Sequence, residues 1–411
     1  MDRHTFLPTA LAVAVFMTCG CDICSAHGSY NSDKSTDLSE SQPDQKKSPK
    51  VDYEGIWSVG NGMYTYGIIA PETTESCCGM LWGLLDSEFN VVLEPCESLP
   101  IIRGDNDYIT VCKDGSDLSA VLDRKGKVIL PFDSDLKNVS GEWCLTSDNG
   151  SFEPVERTIR IVHLPDGKVR SSFKMKDTPM LAGTVLVSFK NGKYALHDLD
   201  GKPLTPYEYD EIDPNVSEGL IAAAKGLKVG FLNEKGETAI PFIYTLPGDE
   251  DGFAFEFCVQ FHEGLTSISN GSKWGYIDTS GSVVLPFKYS FASDFHNGLA
   301  EVSIDKGDDS SQEFIIDKSG NIIYSDSSDY NSEFVLETRQ LLSSDPDSGL
   351  YGVRDLKGNW VIPAQYEMAL PFTMNGNYVV KEGEVWHLID PHGKMLRRNF
   401  TRIPGIIMMP G

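Results

Sequence analysis

One frame recurs nine times along this chain, and any fold it adopts must accommodate that repetition. In its fullest form Trp274-Gly275-Tyr276-Ile277-Asp278 is followed by Gly281, then by Val283-Val284-Leu285-Pro286 and Tyr289. It returns as Tyr351-Gly352-Val353-Arg354-Asp355 with Gly358, Val361-Ile362-Pro363 and Tyr366, and as Val229-Gly230-Phe231-Leu232-Asn233 with Gly236, Ile240-Pro241 and Tyr244. Further copies centre on Trp82-Gly83 with Asp86, on Asp123 and on Asp198; weaker ones centre on Leu164, Asp317 and Asp390. The anchors at 86, 123, 164, 198, 233, 278, 317, 355 and 390 are 34 to 45 residues apart. A period in that range marks a solenoid, a propeller or another repeat array. Tyr66-Gly67-Ile68-Ile69 reads as a decayed extra unit, and Phe295 to Val302, with Gly298-Leu299-Ala300 at its centre, matches Phe261 to Ile268 as a third element of each unit.

The unit is β in character. Trp274, Tyr276 and Asp278 alternate with Gly275 and Ile277, a two-residue period that predicts a strand. Asp278 and Gly281, like Asp355 and Gly358, stand three apart, the spacing of a tight turn in which Asp bonds the backbone and Gly takes a positive φ. Val283–Tyr289 is then the return strand, and Leu299–Val302 a third. Proline recurs on the return strand at 131, 206, 241, 286 and 363, so that strand is predicted to be an edge or to bend there. The expected fold is all-β: about nine three-stranded antiparallel meanders stacked into an elongated array. A closed propeller is the alternative; its blades ordinarily carry a fourth strand.

These residues resemble the bacterial WG repeat, with its Trp-Gly, Asp, Gly, Val-Ile-Pro and Gly-Leu-Ala landmarks: Trp82, Gly83, Trp274, Gly275, Asp278, Gly281, Pro286, Gly298, Gly352, Asp355, Gly358 and Pro363. The resemblance implies an extracytoplasmic β-repeat array over 53–411 with no shared catalytic activity. It weakens around 158–173 and 312–324, where Trp-Gly and Pro are missing.

Residues 1–20 read as a signal peptide: Arg3 and His4, then a short apolar run from Phe6 to Met17. Gly20-Cys21 resembles a lipobox, so Cys21 is the expected site of acylation; ordinary cleavage after Ala26, with Cys24 and Ala26 as the small residues, is the alternative. Residues 21–52 are rich in Ser, Asp, Gln and Lys with hardly an aliphatic side chain, a composition that cannot bury enough apolar surface to order itself. They are expected to form a tether.

The chain carries 35 Lys and Arg against 60 Asp and Glu, a net charge of −25. That balance excludes a nucleic-acid partner, which needs a basic footprint, and argues against an anionic membrane as the main ligand of the folded part. No His or Cys frame suited to zinc, no EF-hand spacing, no phosphate loop and no nucleophile elbow occurs, so no cofactor or metal is expected. The acidic loops at Asp249–Asp251, Asp305–Asp309 and Asp326–Asp329 read as solvated, and Trp82, Trp274 and Tyr351 as packing between units rather than as a glycan-stacking platform. Seven cysteines remain beyond the signal and lipid positions: Cys24, Cys77, Cys78, Cys96, Cys112, Cys144 and Cys258. A stapling disulfide among the five nearest the amino-terminal units is expected, its pairing open. The expected role is that of a non-enzymatic lipoprotein scaffold of the bacterial envelope, anchored in the outer or cell membrane. Its partner is a protein or glycan with a cationic face, and a glycan-active or glycan-binding protein is the alternative.

Overall fold

The computed structural model describes residues 55–400 apart from short stretches, the longest being 70–79, 149–155, 246–258 and 326–331. Cys21, Cys24, Cys77, Cys78 and Cys258, and the acidic residues at 249–251, 308–309 and 326–329, lie outside the described residues. Those that are described form only strands and turns, arranged as nine small antiparallel sheets. In chain order the sheets cover 55–96, 98–133, 136–175, 180–198, 211–244, 265–289, 291–325, 332–366 and 368–400, here blades 1 to 9. Seven of the nine turn anchors fall at the junction of a blade's third and fourth strands; Asp198 ends the last strand of blade 4 and Asp278 stands at the junction of the last two strands of blade 6.

The chain is a closed nine-bladed propeller rather than an elongated stack. Buried clusters join each blade to the next around most of the ring. Blade 6 gives Leu265, Tyr276, Leu285 and Tyr289, for example, to a core shared with Ala292, Phe295, Ala300 and Val302 of blade 7. The ends meet the same way. Tyr64, Tyr66 and Leu85 of blade 1 pack on Phe372, Val379, Trp386 and Leu388 of blade 9, with the Tyr64 and Phe372 rings stacked at 5.4 Å. Each blade is one contiguous stretch of chain, so no shared strand clasps the ring.

Seven of the sheets have four strands, not three; the three of blade 6 correspond to the second, third and fourth strands of the others and are numbered accordingly, and blade 4 has the first three. The extra strand is the first of each blade, which can be as short as Glu211–Ile212 or Phe291–Ala292. Two residues carry no readable period. The repeating sequence unit is also out of phase with the blade: Trp274 to Val302 spans the third and fourth strands of blade 6 and the first two of blade 7. Tyr66-Gly67-Ile68-Ile69 is no extra unit but part of the second strand of blade 1 (Met63–Ile69). In blade 4, Pro203 and Pro206 each lack a ladder donor, and the return segment makes only isolated bridges, Tyr194 to Tyr209 and His197 to Pro203.

The fourth strands lie outermost. Those of blades 5 and 6, Thr238–Tyr244 and Val283–Tyr289, share one exposure pattern in which only the third and seventh residues are buried. The cause is a bulge. Trp274 pairs with Tyr289 and Tyr276 with Leu285, so Pro286, Phe287 and Lys288 lie opposite the single residue Gly275. Tyr351–Tyr366 and Val353–Ile362 place Pro363 opposite Gly352 in the same way. The return strand is thus both edge and bent, as its prolines require.

Candidate functional site

The propeller has two faces. One carries the loops joining first to second and third to fourth strands (the turn face). The other carries the hairpins joining second to third strands and the connections between blades (the hairpin face).

On the turn face the repeated carboxylates are engaged by their own turns. Asp278 Oδ1 accepts the amides of Ser280 at 2.9 Å and Ser282 at 3.0 Å, while the Gly281 amide donates to the Asp278 carbonyl at 2.8 Å. Asp317 and Asp355 hold the same pattern. These hydrogen bonds, led by a side-chain donor (Ser280, Asn321 and Asn359 respectively), hold the three carboxyls below the usual range. Blade 5 supplies the control: Asn233 stands at the Asp position and its Oδ1 accepts from Lys235 and Glu237, each at 3.0 Å. The turn needs an acceptor, not a charge.

The same face is stapled from blade to blade. Glu218 Oε1 accepts the Gly264 amide at 2.8 Å, and Glu263 accepts the Gly298 amide at 3.0 Å and the Lys318 ammonium at 2.9 Å. Arg339 then donates to the carbonyl of Asn297 at 2.7 Å. Glu218, Glu263, Asn297 and Arg339 all have positive φ, and Gly298 follows one of them in a two-residue loop. Blade 4 reaches blade 5 through Thr184, whose amide and hydroxyl both donate to Glu234 Oε1 at 2.9 and 2.7 Å.

The aromatic residues before the glycines are core. Trp274 and Tyr351 pack against the clusters shared by blades 6 and 7 and by blades 8 and 9, and Trp82 is half-buried. Cys96 and Cys144 are unpaired thiols; Cys144 is buried, which pushes its pKa up to about 12. The expected staple therefore does not involve either.

Three groupings outside the turns bear on chemistry. Ser188 Oγ lies 3.0 Å from both His197 Nδ1 and the Tyr207 hydroxyl, but Ser188 is 1% exposed, so no carbonyl substrate can reach it. Asp294 of blade 7 accepts the Ser267 hydroxyl of blade 6 at 3.0 Å, with His262 Nε2 at 3.7 Å from its other oxygen. This joins two blades. Burial raises the carboxyl pKa of Asp213, Glu301 and Glu333, while Glu211 and Asp213 sit on one strand and its continuation rather than across a groove. Among the described residues no three His, Cys, Asp or Glu side chains converge as metal ligands.

Comparison with known proteins gives the following. No curated protein matches the chain in sequence. Among solved structures, a eukaryotic initiation factor is 11% identical over 82% of this chain and 96% of its own, with a TM-score of 0.44. The dihydro-heme d1 dehydrogenase NirN is 15% identical over 79% and 76%, TM-score 0.35, and Kluyveromyces lactis Hsv2p 10% identical over 65% and 98%, TM-score 0.30. At these values nothing transfers to this chain. The WG containing repeat matches residues 197–226, 274–307 and 351–386, each stretch running from the third strand of one blade into the next blade.

Proposed function

We propose that this protein is a non-enzymatic binding scaffold, held at the bacterial cell envelope by a lipid on Cys21 and engaging its partner through a surface built from several blades. One observation carries the reading: the carboxylates that recur in register, the obvious candidates for chemistry, are consumed as acceptors by their own turns, and an Asn replaces one of them. What remains is a rigid ring whose neighbouring blades are stapled through Glu218, Glu263 and Thr184. Partner charge follows from the hairpin face, where the loops of blades 8 and 9 present Asp345 and Asp347, then Glu382 and Glu384, without a lysine. A protein or glycan with a cationic face fits them, and such contacts weaken with salt.

The test has two arms. Cys21→Ser is expected to abolish fatty-acid labelling and release the chain from membranes; labelling that persists rules the anchor out. Capture of partners from the native envelope by the full chain, repeated with Asp345 and Asp347 changed to Asn and Glu382 and Glu384 to Gln, is expected to show weaker, less salt-sensitive capture. A turnover abolished by one change at Asp213, Glu301 or Glu333, with capture intact, would establish an enzyme instead.

A further inference from the structure

The hairpin face is divided by charge. Opposite in character to the acidic loops of blades 8 and 9, the adjacent hairpins of blades 4 and 5 read Phe189-Lys190-Asn191-Gly192-Lys193 and Lys225-Gly226-Leu227-Lys228. In each, a two-residue loop joins a cross-strand lysine pair, Lys190 with Lys193 and Lys225 with Lys228. Large apolar side chains stand among these cations in water: Leu227 is 67% exposed, Ile243 59% and Phe189 49%.

Beneath these tips a run of contacts through buried Tyr209 links the two blades. The Phe189 ring lies 4.8 Å from that of Tyr194, which is bridged through its backbone to Tyr209; Tyr209 lies 5.8 Å from Phe242 of blade 5. The Lys225 ammonium sits 4.7 Å from the Tyr209 ring and 5.0 Å from that of Phe242. Lys228 donates to the Ile243 carbonyl at 3.2 Å and to the Thr245 hydroxyl at 2.7 Å. Lys193 and Lys225 are matched by Asp210 and Glu208. Lys190 and Lys228 have no carboxylate partner among the described residues.

We propose that the hairpin tips of blades 4 and 5 dock on the surface of a lipid bilayer containing anionic headgroups. The cations and the exposed apolar groups coincide, which suits an interface where lysines meet headgroups while apolar tips enter the acyl boundary. The apolar groups protrude on hairpin tips and line no groove, so they fit a yielding surface better than a folded acidic partner. The net −25 does not oppose this, because charges beyond about 8 Å are screened at physiological ionic strength. Geometry agrees: first strands run from the hairpin face to the turn face, so the chain enters blade 1 at Gly55 on the face that carries these tips. The inference rests on the anchored reading only for the presence of a bilayer.

The decisive experiment uses the full chain with Cys21→Ser, so that failure of the lipid anchor and failure of this surface are read separately. Sedimentation with phosphatidylcholine vesicles is compared with sedimentation when phosphatidylglycerol is included. Binding is expected only with the anionic lipid and is expected to fall with added salt. Lys190→Glu with Lys228→Glu, or Phe189→Ser with Leu227→Ser, should each reduce partitioning about tenfold or more. Lys357→Glu on the turn face should leave it unchanged. All four patch positions are exposed, so unchanged thermal melts are expected and confirm folding. Absence of binding to anionic vesicles, or binding that survives both pairs of changes, overturns the proposal. Binding of polyglutamate without vesicle binding overturns it in favour of an acidic polypeptide.

Discussion

Gly275 and Gly281 lie six residues apart in one unit and are glycines for different reasons. At Gly281 φ is +82°, a region L side chains avoid, and a Cβ would also lie 3.1 Å from Ile240 of the preceding blade. At Gly275 a Cβ would come within 2.8 Å of the Leu285 carbonyl and 3.0 Å of the Phe287 amide, where the outer strand bulges over it. Gly358 has a φ of +86° and nothing within 4 Å. Alanine is therefore expected to cost about 1 kcal/mol at 358, about 1–2 kcal/mol at 281, and about 3 kcal/mol or more at 275, where backbone must move. Thermal melts rank them; equal losses would refute the argument. Asp278→Asn should be close to neutral at pH 7, whereas Asp278→Ala should lower the melting temperature. The depressed carboxyl pKa of Asp278 fixes the sign: its contribution is full above the unfolded value of 3.8 and is lost as pH falls through the lower folded value. The Asn variant should lack that acid-side loss. The turn pairing was legible in the sequence because it is local. The reason for Gly275 was not, since it depends on how many residues the opposing strand spends between two pairings; a glycine inside a strand was the available signal.

Outer edges are the exposed elements of such a ring, and the blades protect them differently. Blades 1, 2, 5, 6 and 8 carry a proline and a bulge, while blade 3 places Lys168, Arg170 and Lys174 along Lys168–Met175. Blade 7 has only a register shift opposite Ile315 and Ile316. Its edge, Ile322–Ser325, leaves Ile322 59% exposed with no proline or charge, the profile of a strand that invites intermolecular pairing. Ile322→Lys is expected to slow aggregation on heating, by light scattering, while changing stability by about 0.5 kcal/mol or less. An unchanged aggregation rate would place the vulnerable edge elsewhere. Blade number and the outer strands were readable from spacing and proline. The first strands were not: Glu211–Ile212 is fixed by its neighbours in the ring rather than by any pattern of its own.

At the scale of the whole molecule, closure changes how stability is distributed. An open stack cut after Val302 should keep its remaining units folded and lose binding in steps. A ring cut there exposes Tyr64, Tyr66 and Leu85, which blade 9 covers. Trp386→Ala at that closure is expected to cost about 3–5 kcal/mol and to lower a single cooperative melt; a separate early transition confined to blade 9 would argue for independent units. Junctions are not equal, however. Blades 7 and 8 share no buried cluster among the described residues; the Tyr324–Phe334 stack at 5.6 Å and the Arg339 contact join them. A Cβ at Gly358 of blade 8 would meet nothing within 4 Å, whereas one at Gly126, Gly201, Gly236, Gly281, Gly320 or Gly393 would meet a side chain or backbone of the blade before. A circle of well-fitted wedges with one loose joint behaves like a split washer. Misfit introduced at any tight junction, by one side chain grown too large, is relieved where the circle gives most easily, so the displacement appears between blades 7 and 8 however far away the change was made.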